Sequence, residues 1–179
     1  MMSISALRII ATKAGDPQGG DVLNKALLVS GRDDWETPQD LFDELNREFG
    51  FTLDVCATAE NAKCAKYYTP TEDGLAQDWT GDVVFCNPPY GCKQDQWIRK
   101  CGEHGNGGGV AVMLLPARTD TARFHDLILR KAEIRFIRGR LTFAGARNPA
   151  PFPSMIVIFR SKNKNYESHF TNKREFSDS

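Results

Sequence analysis

This chain is short of most features that announce a function. Its 179 residues carry 23 basic and 23 acidic side chains, so no net charge draws in a polyanion. No apolar run is long enough to span a bilayer, and Arg8, Lys13 and Asp16 interrupt any signal-peptide core near the start. A soluble protein of the cytoplasm is expected. His104, His125 and His169 share no ligand spacing. The cysteines Cys56, Cys64, Cys86, Cys92 and Cys101 are odd in number and lack paired short spacing. That argues against a zinc cluster or a disulfide framework, and no metal is expected. Cys56 and Cys86 read as small buried hydrophobes in strands; Cys92 reads as an exposed thiol with nothing beside it to activate it. The turn Gly105-Asn106-Gly107-Gly108-Gly109 lacks the Gly-Lys-Ser/Thr ending of a phosphate loop, which argues against a nucleoside triphosphate.

What is present centres on Phe85-Cys86-Asn87-Pro88-Pro89-Tyr90-Gly91. The preceding run Asp82 to Cys86 has the apolar, β-branched content of a buried strand. Pro88 lacks an N–H and holds Asn87 extended, so the strand ends there. The resulting stiff loop offers the Asn87 side-chain carbonyl, prolyl carbonyls that accept but cannot donate, and the Tyr90 ring. These parts suit the methylation of an exocyclic amine on an aromatic ring. Such an amine is a poor nucleophile because its lone pair is delocalised. Two acceptors on its hydrogens, Asn87 Oδ1 and the Pro88 carbonyl, favour the tetrahedral shape in which that lone pair is free. Tyr90 would stack on the ring, and a base inside a duplex would first be flipped out.

Charge is balanced overall but unevenly laid out. Asp33 to Glu60 holds nine acids and one base; Arg118 to Arg147 holds eight Lys/Arg and three acids. Solvated helix faces account for part of this, and a phosphate backbone steered to one edge accounts for the rest. Residues 1–30 read as a poorly ordered arm with a short helix at 4–12, residues 31–160 as one domain, and residues 161–179 as a polar tail. Thr37 reads as a helix cap, with Pro38 at the first helical position and Asp40 in the first turn. Leu41, Phe42, Leu45 and Phe49 form the stripe of that helix, and Gly50 ends it. Phe51 to Ala57 reads as a strand whose lone acid, Asp54, points to a ligand crevice. A helix over Lys93 to His104, a buried strand Val110 to Leu115, a helix with Phe124, Leu127 and Ile128 inward, and strands Ile134 to Phe143 and Met155 to Phe159 follow. The joining segment Ala144 to Ser154 is too long for a tight hairpin, which hints at function.

The Asn-Pro-Pro-Tyr tetrapeptide is shared with S-adenosylmethionine-dependent amino-methyltransferases. With Trp35-Glu36-Thr37-Pro38, Leu53 to Ala57, Leu114 to Asp120, Gly139 to Phe143 and Ala150 to Ser154, the chain resembles the small DNA adenine-N6 methyltransferases of phages and prophages. That resemblance implies an α/β, Rossmann-like methyltransferase fold, mostly parallel with a final antiparallel strand. It implies S-adenosylmethionine bound near Trp35, Thr37, Pro38, Asp54, Cys56, Asp78 and Asn87. It implies catalysis by Asn87, Pro88, Pro89 and Tyr90 on double-stranded DNA, with Arg118, Arg140 and Arg147 as the DNA-contacting candidates. Thr37-Pro38 would lie against the methionine part of the cofactor, Asp54 would meet its amino group, and Asp78 would meet its adenine amino group or cap a turn. One departure stands out: Cys56-Ala57-Thr58-Ala59-Glu60 has no glycine where the wider methyltransferase pattern has a glycine-rich turn. Cytosine N4, an RNA base, a glutamine side chain, and a non-catalytic DNA-binding relic stay open as alternatives.

Overall fold

The computed structural model describes residues 10–11, 35–91 and 93–161. Most of the expected arm and tail, and Cys92, lie outside the described residues. The strands are β1 (Ile10–Ala11), β2 (Leu53–Asp54), β3 (Lys66–Tyr67), β4 (Val83–Cys86), β5 (Val110–Pro116), β6 (Glu133–Arg138) and β7 (Ser154–Arg160). They form one sheet in the order β1-β6-β7-β5-β4-β2-β3. Every neighbouring pair is parallel except the two that β7 makes, with β5 and β6. The expected mostly parallel sheet with one late antiparallel strand is therefore present. β1 pairs with Ile137 and Arg138, where the sequence suggested part of a helix over 4–12. The open edge of β6 offers backbone partners that outweigh a weak local periodicity.

The central strands read as continuous apolar runs because both faces are covered. Val84, Cys86, Ala111, Met113, Leu115, Val157 and Phe159 face a core with Trp97, Ile98, Cys101, Phe124 and Ile128. The alternate residues Phe85, Val112, Leu114, Ile156 and Ile158 face a second core with Leu41, Phe42 and Leu45. This period-two division sets helix α1 (Gln39–Phe49) on one side of the sheet and α2 (Gln94–Asn106) on the other. Phe124–Ile128 is a π-helical turn rather than the expected α-helix, with Leu129 N–H reaching Phe124 O at 2.9 Å. It still buries Phe124, Leu127 and Ile128.

Two boundaries matter for the site. Helix α1 starts at Gln39, so Pro38 (φ −59°, ψ 140°) is the half-in residue and makes no side-chain cap. Thr37 is thereby released from the capping role expected of it. Gly50 closes the helix in the left-handed conformation, as its position suggested. Of the strand expected over Phe51 to Ala57, Leu53–Asp54 is regular strand, and backbone bonds to the flanking strands continue on either side, from Thr52 N–H to Val83 O at 2.9 Å, from Val55 N–H to Phe85 O at 3.1 Å and from Ala57 N–H to Tyr68 O at 3.1 Å. β6 stops at Arg138, where Gly139 turns with φ 80°. Arg135 is buried and grips Glu48 through two bonds of 2.6 and 2.7 Å, which ties the end of α1 to β6.

The chain leaves β2 for β3 on one side and returns to β4 on the other. The loops after β2 and β4 therefore diverge, opening a crevice at the carboxyl edge of the sheet.

Candidate active site

That crevice holds a cavity of about 680 Å³. Its floor is Asp54 to Ala57 and Phe85. One wall is Trp35-Glu36-Thr37, another is Tyr68 to Leu75 with Trp97, and Phe143 to Ala146 closes it from the β6–β7 connection. Ala144 N–H donates to Glu36 O at 2.9 Å, locking this connection onto the Trp35–Thr37 segment.

Asn87 sits where β4 ends. Its Nδ2 donates to the Trp35 carbonyl at 2.5 Å and to Thr37 Oγ1 at 3.0 Å. A carbonyl only accepts, so the amino face of Asn87 must turn toward Trp35, and the amide orientation is fixed. Its Oδ1 is buried and has no hydrogen-bond partner. A buried acceptor without a donor is costly, and at the edge of a cavity it marks the place of an incoming N–H. The loop's own turn bond, Gly91 N–H to Pro89 O at 3.0 Å, uses the Pro89 carbonyl and not that of Pro88. Asn87 and Pro89 line the cavity; Pro88 is buried behind them.

Tyr90, the ring expected to stack on a base, packs within an aromatic group beside the cavity. It is half-buried and meets Phe143 and Phe152 edge-on, at 6.4 and 5.6 Å. Trp35 completes this aromatic group, 5.0 Å from Phe143 and 5.5 Å from Phe152. The Tyr90 hydroxyl is buried without a partner, and burial pushes its pKa well above the ordinary phenol value. It is a neutral ring next to the cavity-lining Phe143.

Asp54 is 3% exposed and spends both oxygens on the loop that follows it. Oδ1 accepts from Cys56 N–H at 3.2 Å and Oδ2 from Lys63 N–H at 3.1 Å. Burial raises its pKa, against the lowering effect of those two amides and of the Lys63 charge. Cys56 is half-buried: it packs against the core, as expected, and also lines the cavity. Burial raises its thiol pKa, so it is an inert wall. Among the described residues no cluster of His, Cys, Asp or Glu is placed to hold a metal, and no helix is long and apolar enough to cross a membrane.

Asp78 does not join the site. It lines a separate cavity of about 530 Å³ at the amino edge of the sheet, and its Oδ1 accepts from Thr80 N–H and Oγ1 at 2.9 and 2.7 Å. The acid that this connection does bring to the cleft is Asp73, five residues earlier, held at φ +51°. Asp73, Lys63, Tyr68 and Leu75 are cleft residues that the sequence reading missed. The Thr-Glu-Asp-Gly-Leu run has a turn composition, which was the available signal. The missing glycine after β2 is supplied from here: a Cβ on Gly74 would sit 2.3 Å from Val55 O and 3.1 Å from Trp97.

Arg118, Arg140 and Arg147 are exposed on connections leaving the carboxyl ends of β5 and β6, the same edge as the cleft. None lines the cavity itself.

A mostly parallel sheet with one reversed strand, a crevice at its carboxyl edge, and an Asn-Pro-Pro-Tyr loop in that crevice are the arrangement of the Rossmann-like methyltransferase fold class. The family model described as DNA N-6-adenine-methyltransferase (Dam) matches residues 24–179, and the chain belongs to that family. It is 34% identical over 113 residues to a DNA N-6-adenine-methyltransferase of Escherichia phage T1, covering 62% of this chain and 47% of that protein. It is 29% identical over 141 residues to a protein of the same name from Haemophilus phage HP1, covering 74% of this chain and 82% of that one. It is 43% identical over 65 residues to the putative methyltransferase YfdM of Escherichia coli K12, covering 32% of this chain and 71% of that one. The chain thus spans about half the length of the T1 relative.

Proposed function

We propose that this chain transfers the methyl group of S-adenosylmethionine to the N6 amine of an adenine flipped out of double-stranded DNA. The observation that carries the reading is Asn87: an amide pinned by Trp35 and Thr37, with its buried Oδ1 lacking a donor at the cavity edge. An exocyclic N–H satisfies that oxygen and orients the amine. In this reading the second acceptor is the Pro88 carbonyl, which the loop's turn bond leaves unused, while the Pro88 ring stays buried outside the cavity lining. The family membership and the names of the phage relatives support adenine in DNA as the substrate.

The cavity suits the cofactor by size and by donor set. Asp54 with Lys63 and Glu36 would hold the charged methionine end, and Tyr68, Leu75 and Trp97 would hold the adenine end, with Asp73 as acceptor for its amino group. When bound, S-adenosylmethionine supplies a methyl already activated by its sulfonium. The protein's part is alignment and exclusion of water. Asn87 directs the amine, and Tyr90, Phe143 and Phe152 wall the base side. Arg118, Arg140 and Arg147 take the phosphate backbone, consistent with their common edge. The protein works in the cytoplasm of a host cell.

The test is methylation of mixed-sequence DNA with radiolabelled cofactor, followed by nucleoside analysis. Labelled N6-methyladenine is the expected product. Labelled N4-methylcytosine overturns the assignment. Failure of the protein to bind labelled cofactor at all would instead favour a DNA-binding relic.

A further inference from the structure

Lys100 lies in the middle of α2, the helix that begins three residues after the catalytic loop. Its ammonium leaves the helix and donates to three backbone carbonyls of one turn: Gly74 O at 3.2 Å, Leu75 O at 2.6 Å and Gln77 O at 2.5 Å. A lysine has three donors, so its capacity is filled. Asp73, Asp78 and Glu103 face it, yet it forms no salt bridge with any of them among the described residues. Its charge is spent on carbonyl oxygens instead. Below it lies the Trp79 ring, 4.4 Å away, and Trp79 Nε1 adds a fourth bond to the turn, at Gly74 O, 3.0 Å.

The opposite side of this turn is the cleft. Asp73, Gly74 and Leu75 line it, with Trp97 of the same helix α2. The turn runs through a left-handed Asp73, closes on itself through Ala76 N–H to Asp73 O at 2.8 Å, and presses Gly74 against Val55 O. Its own bonds leave the carbonyls of Gly74, Leu75 and Gln77 turned away from the cleft, where Lys100 and Trp79 brace them without lining it.

We infer that Lys100 is the positioning residue for the cofactor's adenine end: it holds the Asp73–Gln77 turn in the shape that binds, and so sets affinity for S-adenosylmethionine without taking part in the transfer. This rests on the cofactor reading given above. One helix then carries both halves of the site, with the catalytic loop at its start and the brace for the cofactor turn at its centre.

Lys100→Met keeps the apolar stem over Trp79 and removes the three donors. Its dissociation constant for S-adenosylmethionine should rise at least tenfold. Its turnover at saturating cofactor should stay within about threefold of wild type, and so should its affinity for a DNA duplex measured by fluorescence anisotropy. Lys100→Arg, which keeps a cation with several donors, should recover most of the lost affinity. Wild-type cofactor affinity in Lys100→Met overturns the proposal. So does a parallel loss of cofactor and DNA binding, which would mark general collapse. If Lys100→Met does not fold, Lys100→Arg decides: with a wild-type urea midpoint it must bind cofactor within about threefold of wild type, and a larger loss overturns the proposal. If wild-type protein binds no cofactor, the cofactor reading itself has failed, an outcome separate from all of these.

Discussion

Thr37→Val is the sharpest test of the Asn87 geometry. Valine fills the volume of threonine but offers no acceptor, and Thr37 is 3% exposed, so water cannot replace the lost group. In the native site the two hydrogens of Asn87 Nδ2 go to Trp35 O and Thr37 Oγ1. The substitution leaves one hydrogen without a partner. Flipping the amide is no escape, because that would set Oδ1 against the Trp35 carbonyl, acceptor to acceptor. Leaving one buried donor unsatisfied costs about 1–3 kcal/mol. If that cost falls on the transition state, where Oδ1 must hold the amine in line, transfer slows by roughly 5- to 150-fold. The assay is single-turnover methyl transfer at saturating cofactor and DNA, which separates the chemical step from product release. Thr37→Ser keeps the oxygen and should restore the rate to within about threefold. A folded Thr37→Val protein with a rate within twofold of wild type would refute the reasoning, since Asn87 would then need no help from Thr37.

Other consequences can be checked separately. Asn87→Ala should abolish methyl transfer while leaving most cofactor binding intact, measured by equilibrium binding of labelled S-adenosylmethionine. Burial raises the Asp54 pKa above 3.8, so its contribution to folding is greatest below that pH and is lost as pH rises through the folded value. The converse holds for a positively charged ligand group: cofactor affinity should fall on acidification at pH values above the ordinary aspartate range, and Asp54→Asn should bind weakly with a flat profile. Gly74→Ala would set a methyl group 2.3 Å from Val55 O, displacing the cleft wall, and should weaken cofactor binding by at least tenfold in a titration. Changing Arg118, Arg140 and Arg147 one at a time to Gln should each lower the slope of log DNA affinity against log salt by about one for every phosphate contact removed. An unchanged slope removes that arginine from the interface.

The strand-and-loop core of the site was legible because its physics is local. Pro88 ends β4 wherever β4 lies, and a run as apolar as Val110 to Leu115 must be covered on both faces. Gly50 stops α1 for a reason contained in its own backbone. The Asn-Pro-Pro-Tyr loop suggested its proposed chemistry because the acceptors and the ring that chemistry calls for lie within four residues. What the chain order could not reveal was which groups meet across it. Thr37 looks like a helix cap in sequence, yet fifty residues away Asn87 claims its hydroxyl, and Pro38 takes the boundary instead. Asp78 and Asp73 are equivalent by composition. Only the turn held by Lys100 and Trp79 puts one at the cleft and the other at the far edge of the sheet. The sequence by itself determined the central strands β4, β5 and β7 and the loop that ends β4, because those follow from bonds and sterics over a few residues. The tertiary structure decided which polar atoms of the cleft pair across the chain, as Asn87 Nδ2 does with Trp35 and Thr37, and which stay open, as Asn87 Oδ1 does, because hydrogen bonds between distant segments exist only once the sheet has brought them together.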